Sequence, residues 1–188
     1  NIVDYVIKYL NNMPNLDKHS KELLDLFEDC KELDIEFPAR FAPATLKEII
    51  KNRHENKADD RPLVVIIFPK SDWNRAFYFT DYVDSLIAHN YRVMYYEVET
   101  EEEMITYLKE GTKGQRASLI VLGGHGTQTT MTFGKSMLDV SDKKQIKESG
   151  VSVALENNGQ IVVVGCSTGE GRKTEDNIAN LLRDIFPQ

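Results

Sequence analysis

Two side chains suited to nucleophilic and proton-transfer chemistry stand directly after strongly apolar runs: His125 closes ASLIVLGGHG and Cys166 closes QIVVVGC. A thiolate is a strong nucleophile, and imidazole exchanges its proton nearest neutral pH. Together they suit acyl transfer, with Cys166 attacking a carbonyl carbon and His125 handing a proton to the leaving group. Glycines flank both residues, and glycine permits the close backbone approach that an oxyanion-binding N–H requires; the N–H groups of Gly126 and Cys166 are the candidates. The same cysteine begins a second constellation. CSTGEGR sets Arg172 at Cys-x5-Arg spacing, which suits a phosphate cradled by backbone N–H groups and clamped by a guanidinium. Asp139 or Asp142 would then serve as general acid. Gly165 and Lys173 stand where such loops use His and Ser or Thr, and that reading leaves GGHG without a role.

These residues need a scaffold that brings strand ends together. Four apolar runs, at 63–68, 91–98, 117–124 and 160–166, read as strands covered on both faces, and helical patterns at 75–89, 100–110 and 174–185 supply crossovers. The result is a three-layer α/β domain with a mainly parallel sheet. In such sheets ligands bind beyond the carboxyl ends of the strands, where His125 and Cys166 both fall. TTMTFG, 129–134, reads as a short exposed hairpin. Residues 1–60 form an N-terminal helical extension, with apolar spacings of three and four at Val3, Val6, Ile7 and Leu10, then at Leu23, Leu24, Phe27 and Leu33, and a third helix over 44–54. The charged stretch 51–61 reads as a linker into the domain at 61–188.

Bulk properties narrow the function classes. Hydrophobic residues make up 41% of the chain and charged residues 28%, the balance of a globular protein. A net charge of −7 argues against nucleic acid as partner, and no apolar run is long enough to cross a membrane. Two cysteines do not make a disulfide framework, so a reducing, cytoplasmic setting is expected, with Cys30 as a buried apolar residue on its helix. The chain begins at Asn1, which suggests a processed or excised piece. His19, His54 and His89 lack ligand-spaced partners, so neither a metal nor another cofactor is expected. Trp73, the single tryptophan, is expected in the core.

The pairing of an apolar strand ending in GGHG with a later one ending in GCSTGEG resembles the caspase-like (clan CD) cysteine peptidases, the superfamily that includes caspases, legumains, gingipains, separases and bacterial CHAT domains. The resemblance runs from about residue 62 to the end. It implies the three-layer caspase-hemoglobinase fold, hydrolysis of a peptide or protein substrate by a His125/Cys166 dyad, and an oxyanion site at the N–H groups of Gly126 and Cys166. Gly165 replaces the alanine that many relatives carry there. The family continues into further strands, so the expectation is a domain that stops short of its C-terminal strands. Candidate substrate-binding residues are Asp72 and Arg75 in the loop PKSDWNRAF, together with Asp139, Asp142 and Glu170. By analogy with the pocket arginine of caspases, Arg75 hints at an acidic P1 residue, whereas the carboxylates would suit a basic one. The remaining alternative is a catalytically inactive caspase-like module that docks a partner through its helical extension.

Overall fold

The computed structural model describes residues 1–186, so the last two positions of the expected domain lie outside it. Its centre is a four-stranded, all-parallel sheet. The strands β1 (Leu63–Pro69), β2 (Arg92–Val98), β3 (Ala117–Gly123) and β7 (Leu155–Val164) lie in the order β2-β1-β3-β7. Alternation along β1 divides the core in two. Val64, Ile66 and Phe68 face one layer, while Leu63, Val65 and Ile67 face the other. Each fully buried side chain of this kind contributes about 1.5–3 kcal/mol, which is why runs without polar interruption became the central strands.

One face is covered by α1 (Ile2–Asn11), α2 (Lys18–Glu32), α3 (Pro43–His54) and α4 (Asp81–Ala88). The other is covered by α5 (Glu101–Glu110) and α7 (Ile178–Ile185), with a small antiparallel sheet of β4 (His125–Gly126), β5 (Thr130–Thr132) and β6 (Met137–Asp139), and the short α6 (Lys143–Glu148) at its flank. This is a mixed α/β architecture of three layers. The helical extension has no core of its own: Val3, Leu26, Cys30, Ile35, Leu46 and Ile49 pack in one cluster with β1 and β2. It also seals the edge of β2, because Asn52 Nδ2 donates to the Val93 carbonyl (3.0 Å) and Arg53 Nη1 to the Tyr95 carbonyl (2.8 Å).

Several boundaries differ from the sequence expectation for local reasons. The helix expected over 75–89 starts only at Asp81, since Arg75 adopts a left-handed φ of 57° and Asn74 Oδ1 accepts from the Ala76 N–H, a local bond that competes with a helical turn. The helix expected over 174–185 starts at Ile178, where the Asn177 side chain accepts from Asn180 N–H and caps it. β7 begins five residues before the apolar run, with a register irregularity opposite Ala117–Leu119 that lets the polar stretch 156–160 join the edge. The expected linker from residue 51 is helix to His54, and the expected hairpin is the middle of three short strands. Among the described residues no helix is long and apolar enough to cross a membrane.

Candidate active site

β3 and β7 are hydrogen-bonded neighbours running in the same direction, with Gly123 opposite Val164 and the Gly124 N–H donating to the Val164 carbonyl at 3.1 Å. Both chains leave the sheet at the same rim. His125 and Cys166 each follow two residues after that last pair, and the two segments stay in close contact past the sheet: a Cβ on Gly126 would stand 2.9 Å from the Cys166 carbonyl oxygen and 2.7 Å from Thr168 Cγ2. Likewise a Cβ on Gly165 would lie 2.7 Å from the Gly124 carbonyl oxygen. Glycine at these two positions is therefore a steric requirement of the close approach.

Cys166 is a free, exposed thiol at the start of a loop anchored at several points. Thr168 is buried; its carbonyl accepts from the Ala179 N–H at 3.0 Å, and its hydroxyl donates to the Gly165 carbonyl at 3.4 Å. Asn177 Nδ2 donates to the Glu170 carbonyl (3.1 Å), and Asn180 Nδ2 to the carbonyls of Arg172 (3.0 Å) and Glu175 (2.7 Å). Ser167, the residue after the cysteine, sits at a φ of 55°, a conformation that costs a side-chain-bearing residue about 1 kcal/mol or more. The loop is thus held in one shape by the cap of α7 and carries strain beside the sulfur.

His125 is enclosed on three sides. Trp73 stacks on its ring (centroids 5.6 Å apart, planes at 25°), and Phe77 meets it edge-on at 5.2 Å. Its Nε2 points at Asp72 Oδ1, 3.7 Å away, and neither of these buried atoms has a hydrogen-bond partner. Asp72 Oδ2 accepts from Arg40 Nη2 and from the Phe77 N–H, both at 3.3 Å. The Arg40 guanidinium also reaches the Pro69 carbonyl (2.8 Å), the Tyr95 hydroxyl (2.6 Å) and Glu97 Oε2 (3.4 Å). Glu97 in turn accepts from the N–H groups of Glu36 (2.6 Å) and Phe37 (3.2 Å) and from the Tyr95 hydroxyl. Burial drags on the charge of Arg40, but Tyr95, Glu97 and Asp72 outweigh it and hold the guanidinium firmly protonated. Burial raises Glu97 above the usual carboxylate range, against the pull of Arg40 and of its hydrogen-bond donors.

The expected substrate contacts fall in different places. The Asp72 side chain is wholly buried beneath His125 and ion-paired, so it offers solvent no free carboxylate. Arg75 is exposed in the loop after β1, its guanidinium 5.9 Å from the Tyr78 ring. Glu170 is exposed in the cysteine loop. Asp139 ends β6 and accepts from the Ser141 N–H at 2.8 Å, which lowers its carboxyl below the ordinary range. Asp142 lies beside Glu101, whose carboxyl burial and the neighbouring charge of Asp142 push up to about 7. Arg172 follows Cys166 in a loop, and α7 starts only at Ile178.

Sequence reasoning missed two parts of the site. Trp73 is 81% exposed and covers His125, contrary to the expected core position, because its segment is a loop crossing the rim. Arg40 gave no signal in its spacing, since its partners are far away in the chain; an arginine buried in an apolar segment must find anions, but nothing local shows which. Away from the rim, Asp29, Glu32 and His54 bring ligand atoms within 4.8 Å of one another at the junction of α2 and α3, although spacing offered His54 no partner. Cys30 is buried, and desolvation, with smaller effects of Glu97 and Asp29, pushes its thiol up to about 12. In comparisons with known proteins, no family model matches the chain, and no curated protein matches it.

Proposed function

We propose that this protein is a cysteine peptidase of the caspase-like type, hydrolysing peptide bonds through Cys166 and His125. One observation carries the reading: two adjacent parallel strands deliver an exposed thiol and an imidazole to one rim, with Gly126 packed against the Cys166 backbone. In this mechanism the Cys166 sulfur attacks the scissile carbonyl carbon, and the N–H groups of Gly126 and Cys166 stabilise the oxyanion. His125 passes the proton to the leaving amine, and then draws one from the water that releases the acyl group. The strained backbone at Ser167 and the capped loop support a preorganised nucleophile. The three-layer sheet is compatible with the caspase-hemoglobinase architecture that the GGHG and GCSTGEG motifs resemble.

The phosphate-loop alternative wants a helix to begin at the end of the Cys-x5-Arg loop, so that its N-terminal N–H groups face the anion. The late start of α7, and carbonyl hydrogen bonds that tie Arg172 and Lys173 back to α7, favour the peptidase. Hydrolysis of a peptide library, abolished in both Cys166→Ala and His125→Ala, is the expected result. Unchanged hydrolysis in Cys166→Ala refutes the proposal. Competitive inhibition by vanadate, with loss of phosphatase activity in Arg172→Ala, would replace it with phosphoryl chemistry.

A further inference from the structure

We propose that the helical extension is a working part of the site: Arg40 clamps Asp72, and Asp72 fixes which ring nitrogen of His125 carries the proton. This rests on His125 being the proton carrier of the dyad. Asp72 Oδ2 is engaged by two donors, Arg40 Nη2 and the Phe77 N–H, each at 3.3 Å, while Oδ1 has none. His125 Nε2, itself buried and unpartnered, lies 3.7 Å from Oδ1. That separation exceeds a hydrogen bond, and such contacts in unliganded sites tighten when substrate packs over them. A carboxylate can only accept, so Nε2 must carry the hydrogen and Nδ1 is left bare to take a proton. Trp73 and Phe77 hold the ring plane against rotation.

The Asp72 carboxylate is in turn held in place by the extension. The Arg40 side chain is wholly buried and comes from the turn before α3, and its backbone carbonyl accepts from the Thr80 hydroxyl. Its other anion, Glu97, is bonded to the N–H groups of Glu36 and Phe37 in the same segment. Arg40 thus joins residues 36–40, the end of β1 and the imidazole into one polar train running from the extension to the rim. Asp72 and Arg40 are positioning residues, touching no reacting atom.

The test is Asp72→Asn. Arg40 and the Phe77 N–H both donate, so they would retain the amide oxygen at the Oδ2 position and leave the amide NH2 facing Nε2. Nε2 must then accept, and the proton moves to Nδ1. The ring 15N shifts of His125 at pH 8, assigned by their loss in His125→Gln, report the tautomer directly. Wild type is expected as the Nε2–H form and Asp72→Asn as the Nδ1–H form, with iodoacetamide alkylation of Cys166 slowed by at least about tenfold because its base is blocked. Arg40→Gln alone keeps a carboxylate facing Nε2, so its Nε2–H form should persist, and a switch to Nδ1–H there would overturn the assignment. Should that variant fail to fold, Asp72→Asn still decides. An asparagine free of the clamp would turn its oxygen to Nε2–H and leave the tautomer unchanged, so an unchanged tautomer in folded Asp72→Asn overturns the proposal. Failure of the dyad itself is separate: alkylation of Cys166 would then be indifferent to His125→Ala, whatever the tautomer does.

Discussion

Gly126→Ala puts the geometry of the rim to a quantitative test. A methyl group there would lie 2.9 Å from the Cys166 carbonyl oxygen and 2.7 Å from Thr168 Cγ2, more than about half an ångström inside ordinary van der Waals contact. Neither neighbour can yield cheaply. The oxygen belongs to the backbone, and Thr168 is buried with its carbonyl tied to α7 through Ala179. Relief must come from moving the cysteine loop away from His125. Overpacking of this kind costs about 1–3 kcal/mol. A shift of about half an ångström at Cys166, the proposed nucleophile, where about 1 Å costs up to a hundredfold, should lower kcat about tenfold. Initial rates of peptide hydrolysis and the thermal midpoint measure the two effects separately. Gly169→Ala is the matched control in the same loop, because a Cβ there meets nothing within 4 Å. Wild-type kcat and Tm in Gly126→Ala would show that the two loops do not abut, and the dyad geometry would fall with them.

Other perturbations read other parts of the structure. Glu97→Ala leaves Arg40 short of an anion and strips acceptors from Glu36, Phe37 and Tyr95, so stability should drop by about 3–5 kcal/mol, seen as a Tm lower by roughly 10 °C. Glu101 has its folded-state pKa raised to about 7 from an ordinary 4.5, so as pH rises the unfolded chain loses that proton first, and stability declines through this window. Glu101→Gln should therefore raise Tm by a few degrees (about 3 °C) at pH 8 and leave it unchanged at pH 4, checked by calorimetry at both. Trp73→Ala removes a stacked but 81% exposed ring, so hydrolysis should fall about three- to tenfold while Tm stays within about 2 °C.

How much was legible in advance follows from the range of each interaction. Apolar runs such as LVVIIF and SLIVLG identify central strands because burial on both faces demands unbroken hydrophobicity, and that alone places His125 and Cys166 at strand ends. Helix starts were less legible: Asn177 is a good cap, but the turns after Arg172 that delay the helix depend on bonds from Asn180 and Arg183. The Arg75 backbone conformation and the register irregularity in β7 are likewise local outcomes of packing at a rim and an edge.

By itself the chain determined the three-layer α/β class, the two reactive side chains and the glycines beside them, since these depend on residue type and on neighbours a few positions away. Tertiary structure decided that β3 and β7 are neighbours, that Trp73 lies over the imidazole, and that Asp72 is no substrate-facing carboxylate but the buried partner of an arginine from the extension. The reason is physical. A charge buried far from water must find its counter-charge wherever the fold brings one within about 4 Å, and no spacing along the sequence records that meeting.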